Sequence, residues 1–86
     1  FVEAMVDGAK ALGLSDADAT TLTIQTIVGA AKLLDESGKS ATTLRENVTS
    51  PNGTTAAALA SFESHQLGDV VAQAMKAARD RSQELA

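Results

Sequence analysis

One stretch of the 86 residues has the types and spacing to do chemistry: Thr49-Ser50-Pro51-Asn52-Gly53-Thr54-Thr55, which runs directly into Ala56-Ala57-Ala58-Leu59-Ala60. Pro51 fixes its own φ and drives Ser50 toward extended backbone, while Asn52-Gly53 tolerates positive φ, so the segment reads as a turn. A helix that starts at Thr54 or Thr55 leaves its first amides unpaired at its end, with the helix dipole behind them. Such an end attracts anions. Hydroxyls of Ser50, Thr54 and Thr55 add donors of the kind a carboxylate accepts. A phosphate loop would carry more glycine and a lysine, so the pattern favours a small carboxylate over a nucleotide. The same residues would also serve as a plain cap and turn, and on residue types alone both readings stand.

No other side chains form a reactive set. His65 reads as a helix-end residue in a polar turn, Asp16 and Asp18 as caps, and Arg79 and Arg81 as cations near a helix C-terminus, where they are favoured in any case. Lys32 reads as a solvated or interface charge, and Thr20, Thr21, Thr23 and Thr26 as helix packing residues. With no cysteine and a single histidine, a thiolate zinc site and an imidazole cluster are excluded. There is no carboxylate pair and no Ser/His/Asp set, so no catalytic residue and no metal ligand is identified.

The elements that position the loop are all helical. Met5, Ala9 and Leu12 share one face and Glu3, Asp7 and Lys10 the opposite one, which predicts a half-buried helix stopped at Gly13. A second helix starts at Ser15 or Asp16 and runs to about Glu36. Its apolar residues Leu22, Ile24, Ile27, Val28, Ala31, Leu33 and Leu34 go most of the way round, so it needs neighbours on several sides. Gly29 near its middle costs about 1 kcal/mol relative to alanine, for which close approach of a partner helix would be a compensating reason. Ser40 to Val48 reads as a short serine-capped helix after Gly38, Thr49 to Gly53 as the loop, and Thr54 or Thr55 to Ser64 as a fourth helix. His65 to Gly68 is expected to break the chain before a last helix, with Val71, Met75, Ala78, Ser82 and Leu85 on one face and Asp69, Gln73, Lys76, Asp80 and Gln83 on the other. With no period-2 run anywhere, the fold class is all-α, about five helices in a single domain over residues 1–86.

Composition narrows the partners. A chain this short, rich in alanine and with only Phe1 and Phe62 aromatic, offers little apolar area per residue, so association with a second copy is the support it is expected to need. The net charge of −4 and seven scattered Lys and Arg argue against nucleic acid. No apolar run approaches the roughly 20 residues of a membrane span. The chain is expected to be soluble and cytoplasmic, and, opening on Phe1 within a helical pattern, to be a piece of a longer protein.

The stretch Glu46 to Glu63, with its Ser50-Pro51-Asn52-Gly53-Thr54-Thr55 core, resembles the signature of the pyrroline-5-carboxylate reductase family, the last enzymes of proline biosynthesis. Val28-Gly29-Ala30-Ala31-Lys32-Leu33-Leu34 resembles that family's long interface helix, and Arg81-Ser82-Gln83-Glu84-Leu85 the end of its final helix. The resemblance implies the C-terminal helical domain of a 6-phosphogluconate-dehydrogenase-like oxidoreductase, intertwined with its twin as a homodimer that can assemble into larger rings. It further implies that Ser50 and Thr55, with the amides around Gly53 and Thr54, hold the carboxylate of pyrroline-5-carboxylate or proline. Hydride would pass to the C=N carbon from NADPH or NADH, bound in the full-length enzyme by an N-terminal Rossmann domain. Two positions depart from the family: Asn52 stands where glycine is common, with a small strain expected, and His65-Gln66 replaces a Gly-Gly turn. Because the chain contains no Gly-x-Gly-x-x-Gly, it is expected to bind no cofactor and to be inactive by itself. The alternatives are a non-catalytic helical interaction module and the helical domain of another Rossmann-type dehydrogenase; the loop argues against the latter.

Overall fold

A computed structural model describes residues 1–86 and contains five helices and no strand: α1 (Val2–Ala11), α2 (Asp16–Ser37), α3 (Ala41–Asn47), α4 (Thr54–Ser64) and α5 (Leu67–Leu85). The all-α expectation is met. The chain divides into two compact units, Phe1–Leu44 and Arg45–Ala86.

In the first unit the capping signals act where the residues place them. Ser15 has extended backbone, and its Oγ accepts from the Asp18 amide at 3.1 Å. That bond satisfies one of the free donors of the first turn. Helix α1 stops because Gly13 takes φ +109°. The Leu14 amide then donates to the Ala9 carbonyl at 3.2 Å and the Gly13 amide to Lys10 at 3.0 Å, the paired bonds of a Schellman stop. Gly38 ends α2 in the same left-handed region at φ 69°, one residue beyond Ser37. Ser40 caps α3, its Oγ accepting from the Thr43 amide at 3.1 Å.

Packing is thin. α1 lies against α2, joined by an ion pair of Lys10 Nζ to Asp16 Oδ1 at 3.3 Å. Met5, Val6 and Ala9 are half-buried, and Ala19 and Thr23 on α2 are the only buried residues in the chain. Leu12, expected on the inner face of α1, is 90 % exposed, because the helix ends at Ala11 and Leu12 adopts the non-helical cap geometry. Around α2, Leu22, Ile24, Val28, Leu33 and Leu34 are all exposed. A Cβ built on Gly29 would meet nothing within 4 Å. The apolar surface expected to want neighbours is therefore present and uncovered by this chain.

In the second unit α4 packs on α5. The break between them is shorter than expected, because Gln66 alone takes the left-handed conformation, at φ 61°, and α5 begins at Leu67 rather than after Gly68. Gly68 sits in the first helical turn with φ negative, so it is no breaker here. His65 caps the end of α4, with Nδ1 2.8 Å from the Ser61 carbonyl oxygen; a carbonyl only accepts, so that ring nitrogen carries the hydrogen. The apolar face of α5 is exposed along its length at Val71, Met75 and Leu85.

Candidate functional site

The segment from Ser50 to Gly53 is a tight turn closed by the Gly53 amide donating to the Ser50 carbonyl at 3.0 Å. Pro51 occupies the position where its fixed φ is favoured, and Asn52 takes φ 62°. Asparagine is the residue after glycine best suited to that region, so the turn keeps its path despite the departure at Asn52. Gly53 has φ −84°, ordinary for any residue, and its need for glycine is steric. A Cβ there would come 3.1 Å from the Ser50 carbonyl oxygen and 3.4 Å from the Ser50 Cβ. The two residues therefore divide the work expected of the pair: Asn52 supplies the left-handed turn and Gly53 the close approach.

Gly53 is also the N-cap of α4, and no side chain bonds back to the helix start. The first intrahelical bond is from the Ala57 amide to the Gly53 carbonyl at 3.1 Å, so the amides of Thr54, Thr55 and Ala56 have no partner. Three consecutive donors at the positive end of an 11-residue helix form an anion-attracting end. The Ser50, Thr54 and Thr55 hydroxyls make no hydrogen bond within the chain. Ser50 and Thr54 are exposed, while Gly53 and Thr55 are half-buried. The structure thus brings Ser50, Gly53, Thr54 and Thr55 into one segment, in which the Gly53 amide closes the turn while the Ser50, Thr54 and Thr55 hydroxyls and the Thr54 and Thr55 amides are free. No carboxylate pairs with any of them. The expected capping bond from a Ser or Thr side chain, the other reading open on the sequence, is not formed.

Thr49 is a functional candidate missed when the loop is read for donors alone. Its hydroxyl donates to the Arg45 carbonyl in the last turn of α3. A Thr four residues after a helical carbonyl is the signal that would have found it. An open cleft of about 660 Å³ also lies in this unit, lined by Leu59, Phe62 and Leu67 with Arg45, Glu63 and Asp69. None of Ser50, Gly53, Thr54 or Thr55 lines it, so it is distinct from the turn.

Away from the loop, the one carboxyl clearly perturbed is Asp80 on α5. Its hydrogen bond from Lys76 Nζ at 2.7 Å, and then that from Arg79, hold it below its ordinary value of 3.8. The cluster is an exposed helix-surface network. No three His, Asp or Glu side chains converge as a metal site would need, and no helix is long and apolar enough to cross a membrane.

The sequence and the fold both match known proteins. Residues 1–85 match the family model for pyrroline-5-carboxylate reductase dimerisation. Pyrroline-5-carboxylate reductase of Pseudomonas aeruginosa is 47 % identical over 86 residues, which are 100 % of this chain and 32 % of that protein. The Arabidopsis thaliana enzyme is 39 % identical over 84 residues, covering 98 % of this chain and 30 % of that protein. A crystal structure of Plasmodium falciparum pyrroline carboxylate reductase with NADP bound superposes with a TM-score of 0.92 at 33 % identity, over 95 % of this chain and 33 % of that one. The chain therefore spans about a third of the length of the relatives it matches. A match over nearly every residue, with the same helical fold, assigns the chain to the pyrroline-5-carboxylate reductase dimerisation family.

Proposed function

We propose that residues 1–86 act as one dimerisation and substrate-carboxylate domain of a cytoplasmic pyrroline-5-carboxylate reductase, which reduces 1-pyrroline-5-carboxylate to L-proline with NADPH or NADH. The observation that carries the substrate part is the set of three unpartnered amides at Thr54, Thr55 and Ala56, flanked by the free hydroxyls of Ser50 and Thr55. In this reading the carboxylate of pyrroline-5-carboxylate or proline accepts from the amides that follow Gly53, beginning at Thr54, and from the two hydroxyls. The contribution of the loop is binding and orientation, because no side chain beside it is suited to give or take a proton.

The homodimer reading is supported by exposed area. Helix α2 leaves Leu22, Ile24, Val28, Leu33 and Leu34 exposed, apolar surface that its own unit does not cover. A second copy laid against the apolar residues of α2 around Gly29 would cover that surface, and rings of dimers would extend the same assembly. The dinucleotide does not fit this chain. Its six glycines, at 8, 13, 29, 38, 53 and 68, are too far apart for the Gly-x-Gly-x-x-Gly turn, and no strand exists to lead into one. The seat for NADPH or NADH is assigned to residues outside these 86, and no step of the reduction is assigned to them.

Two measurements test the reading. In the full-length protein, Thr55→Ala removes a hydrogen bond to a charged acceptor, worth about 1.5–3 kcal/mol, and is expected to raise KM for pyrroline-5-carboxylate about tenfold or more. An unchanged KM overturns the carboxylate site. Sedimentation of the 86-residue chain at micromolar concentration is expected to give a dimer, and a stable folded monomer overturns the dimerisation role.

A further inference from the structure

The turn is held to the rest of its unit by very little. Between Val48 and Thr55 a single side-chain hydrogen bond is made, from the Thr49 hydroxyl to the Arg45 carbonyl. The backbone supports the same junction, with the Val48 amide donating to Arg45 at 3.3 Å and the Thr49 amide to Glu46 at 3.2 Å. After Thr49 the chain is tied only to itself, by the 3.0 Å bond across the Ser50 to Gly53 turn, until α4 begins. Thr49 is half-buried, whereas Ser50, Pro51 and Asn52 beyond it are exposed. Ser50 follows Thr49 directly, so the direction in which the Ser50 hydroxyl leaves α3 depends on how Thr49 is fixed.

We propose that Thr49 is a positioning residue: its hydroxyl, anchored on the Arg45 carbonyl, sets the Ser50 side of the carboxylate clamp against the Thr54 to Ala56 amides. The inference rests on the carboxylate reading of the loop. Thr49 touches no substrate and acts through Ser50. Without its hydroxyl the Arg45 carbonyl keeps the Val48 amide, so no buried acceptor is orphaned and α3 still closes. What is lost is one constraint on the clamp before substrate arrives, and the ordering must then be supplied from binding. A clamp that holds substrate and transition state alike changes KM and leaves kcat in place.

The test is steady-state kinetics of the full-length protein carrying Thr49→Val, Thr49→Ala, Thr49→Ser or Thr55→Ala. The two hydroxyl-free variants at position 49 are expected to raise KM for pyrroline-5-carboxylate about three- to tenfold, the range of one net hydrogen bond, with kcat unchanged. Thr49→Ser, which keeps the donor, is expected to restore the original KM. Two hydroxyl-free replacements are used so that a folding defect peculiar to one, seen by circular dichroism, does not decide the matter. The proposal is overturned if Thr49→Val and Thr49→Ala leave KM unchanged, if Thr49→Ser raises it as much as they do, or if kcat falls instead. Should KM rise in Thr55→Ala but not in the position 49 variants, positioning by Thr49 fails and the carboxylate site stands. Should it rise in neither, both fail. A rise at position 49 alone also overturns the proposal, since the effect would not run through a clamp that includes Thr55.

Discussion

The starts of α2 and α3 and the turn before α4 treat their polar groups in opposite ways. Within the first unit the starts of α2 and α3 are each capped by a serine, Ser15 and Ser40, and the end of α1 is closed by the Schellman bonds at Gly13, while α1 itself starts uncapped at Phe1. Beyond that start, the unit's unmet demand is apolar, on the exposed faces of α2. At the start of α4 the situation is reversed, since the cap is a glycine without a side chain and three amides and the nearby hydroxyls go unpaired. Unsatisfied apolar area is met by a surface with more apolar area, whereas unsatisfied donors are met by an anion. The same short chain thus carries one uncovered apolar surface and one uncapped helix end, which in the proposed reading takes the carboxylate.

Substitutions that exchange these demands should separate the two regions. The largest effect is expected from Val28→Lys, beside Gly29 on the exposed face of α2. In one copy the side chain is half in solvent at 54 % exposure, so helix content should survive. In a dimer it would bury an unpaired ammonium, at a cost of several kcal/mol, and sedimentation should show monomer. If the dimer persists unchanged, that face is not the one that is covered.

Next is Gly53→Ala. The added Cβ would press on the Ser50 carbonyl oxygen at 3.1 Å, within the turn itself, and relief costs about 1–3 kcal/mol of turn geometry. KM should rise about tenfold while the oligomer stays intact, the reverse of the pattern for Val28→Lys. Ser15→Ala should cost about 1 kcal/mol through loss of the bond to the Asp18 amide, lowering the melting temperature with KM untouched. An altered KM would mean that the two regions are not independent.

The smallest effect is expected at Asp80. Lys76 first, and then Arg79, hold its carboxyl below the ordinary 3.8, so the pair stabilises α5 above that value. This contribution is lost as pH falls through the still lower folded value. Asp80→Asn should therefore flatten the acid side of the melting-temperature profile slightly, and added salt should shrink the difference, since exposed ion pairs are screened. A profile identical to that of the unsubstituted chain at low salt would show that the cluster contributes nothing.

Much of the fold was legible because its signals are local. Ser15 and Ser40 cap through bonds three residues away, and Gly13 and Gly38 stop helices by a conformation that glycine alone adopts freely. Misjudgements arose where two residues could do one job. Within the break expected over His65 to Gly68, Gln66 alone takes the left-handed position, leaving Gly68 free to sit inside α5. Asn52 takes the positive φ, leaving Gly53 to answer a steric demand from Ser50 that residue types do not display. Within the candidate site, the hydroxyls and the helix start were visible as residue types in order. The anchor at Thr49 was not, because whether a threonine turns back to a carbonyl or out to solvent depends on how the chain leaves α3.

The order and spacing of residues by themselves determined the five helices, their caps and the existence of a turn ahead of an anion-attracting helix end, since each depends on φ preferences and hydrogen bonds that close within a few residues. Only the tertiary structure decided that Ala19 and Thr23 are all that one copy buries and that the rest of α2 stays open around Gly29. Those outcomes depend on which distant surfaces meet, and burial is a property of the packed chain that no local stretch contains.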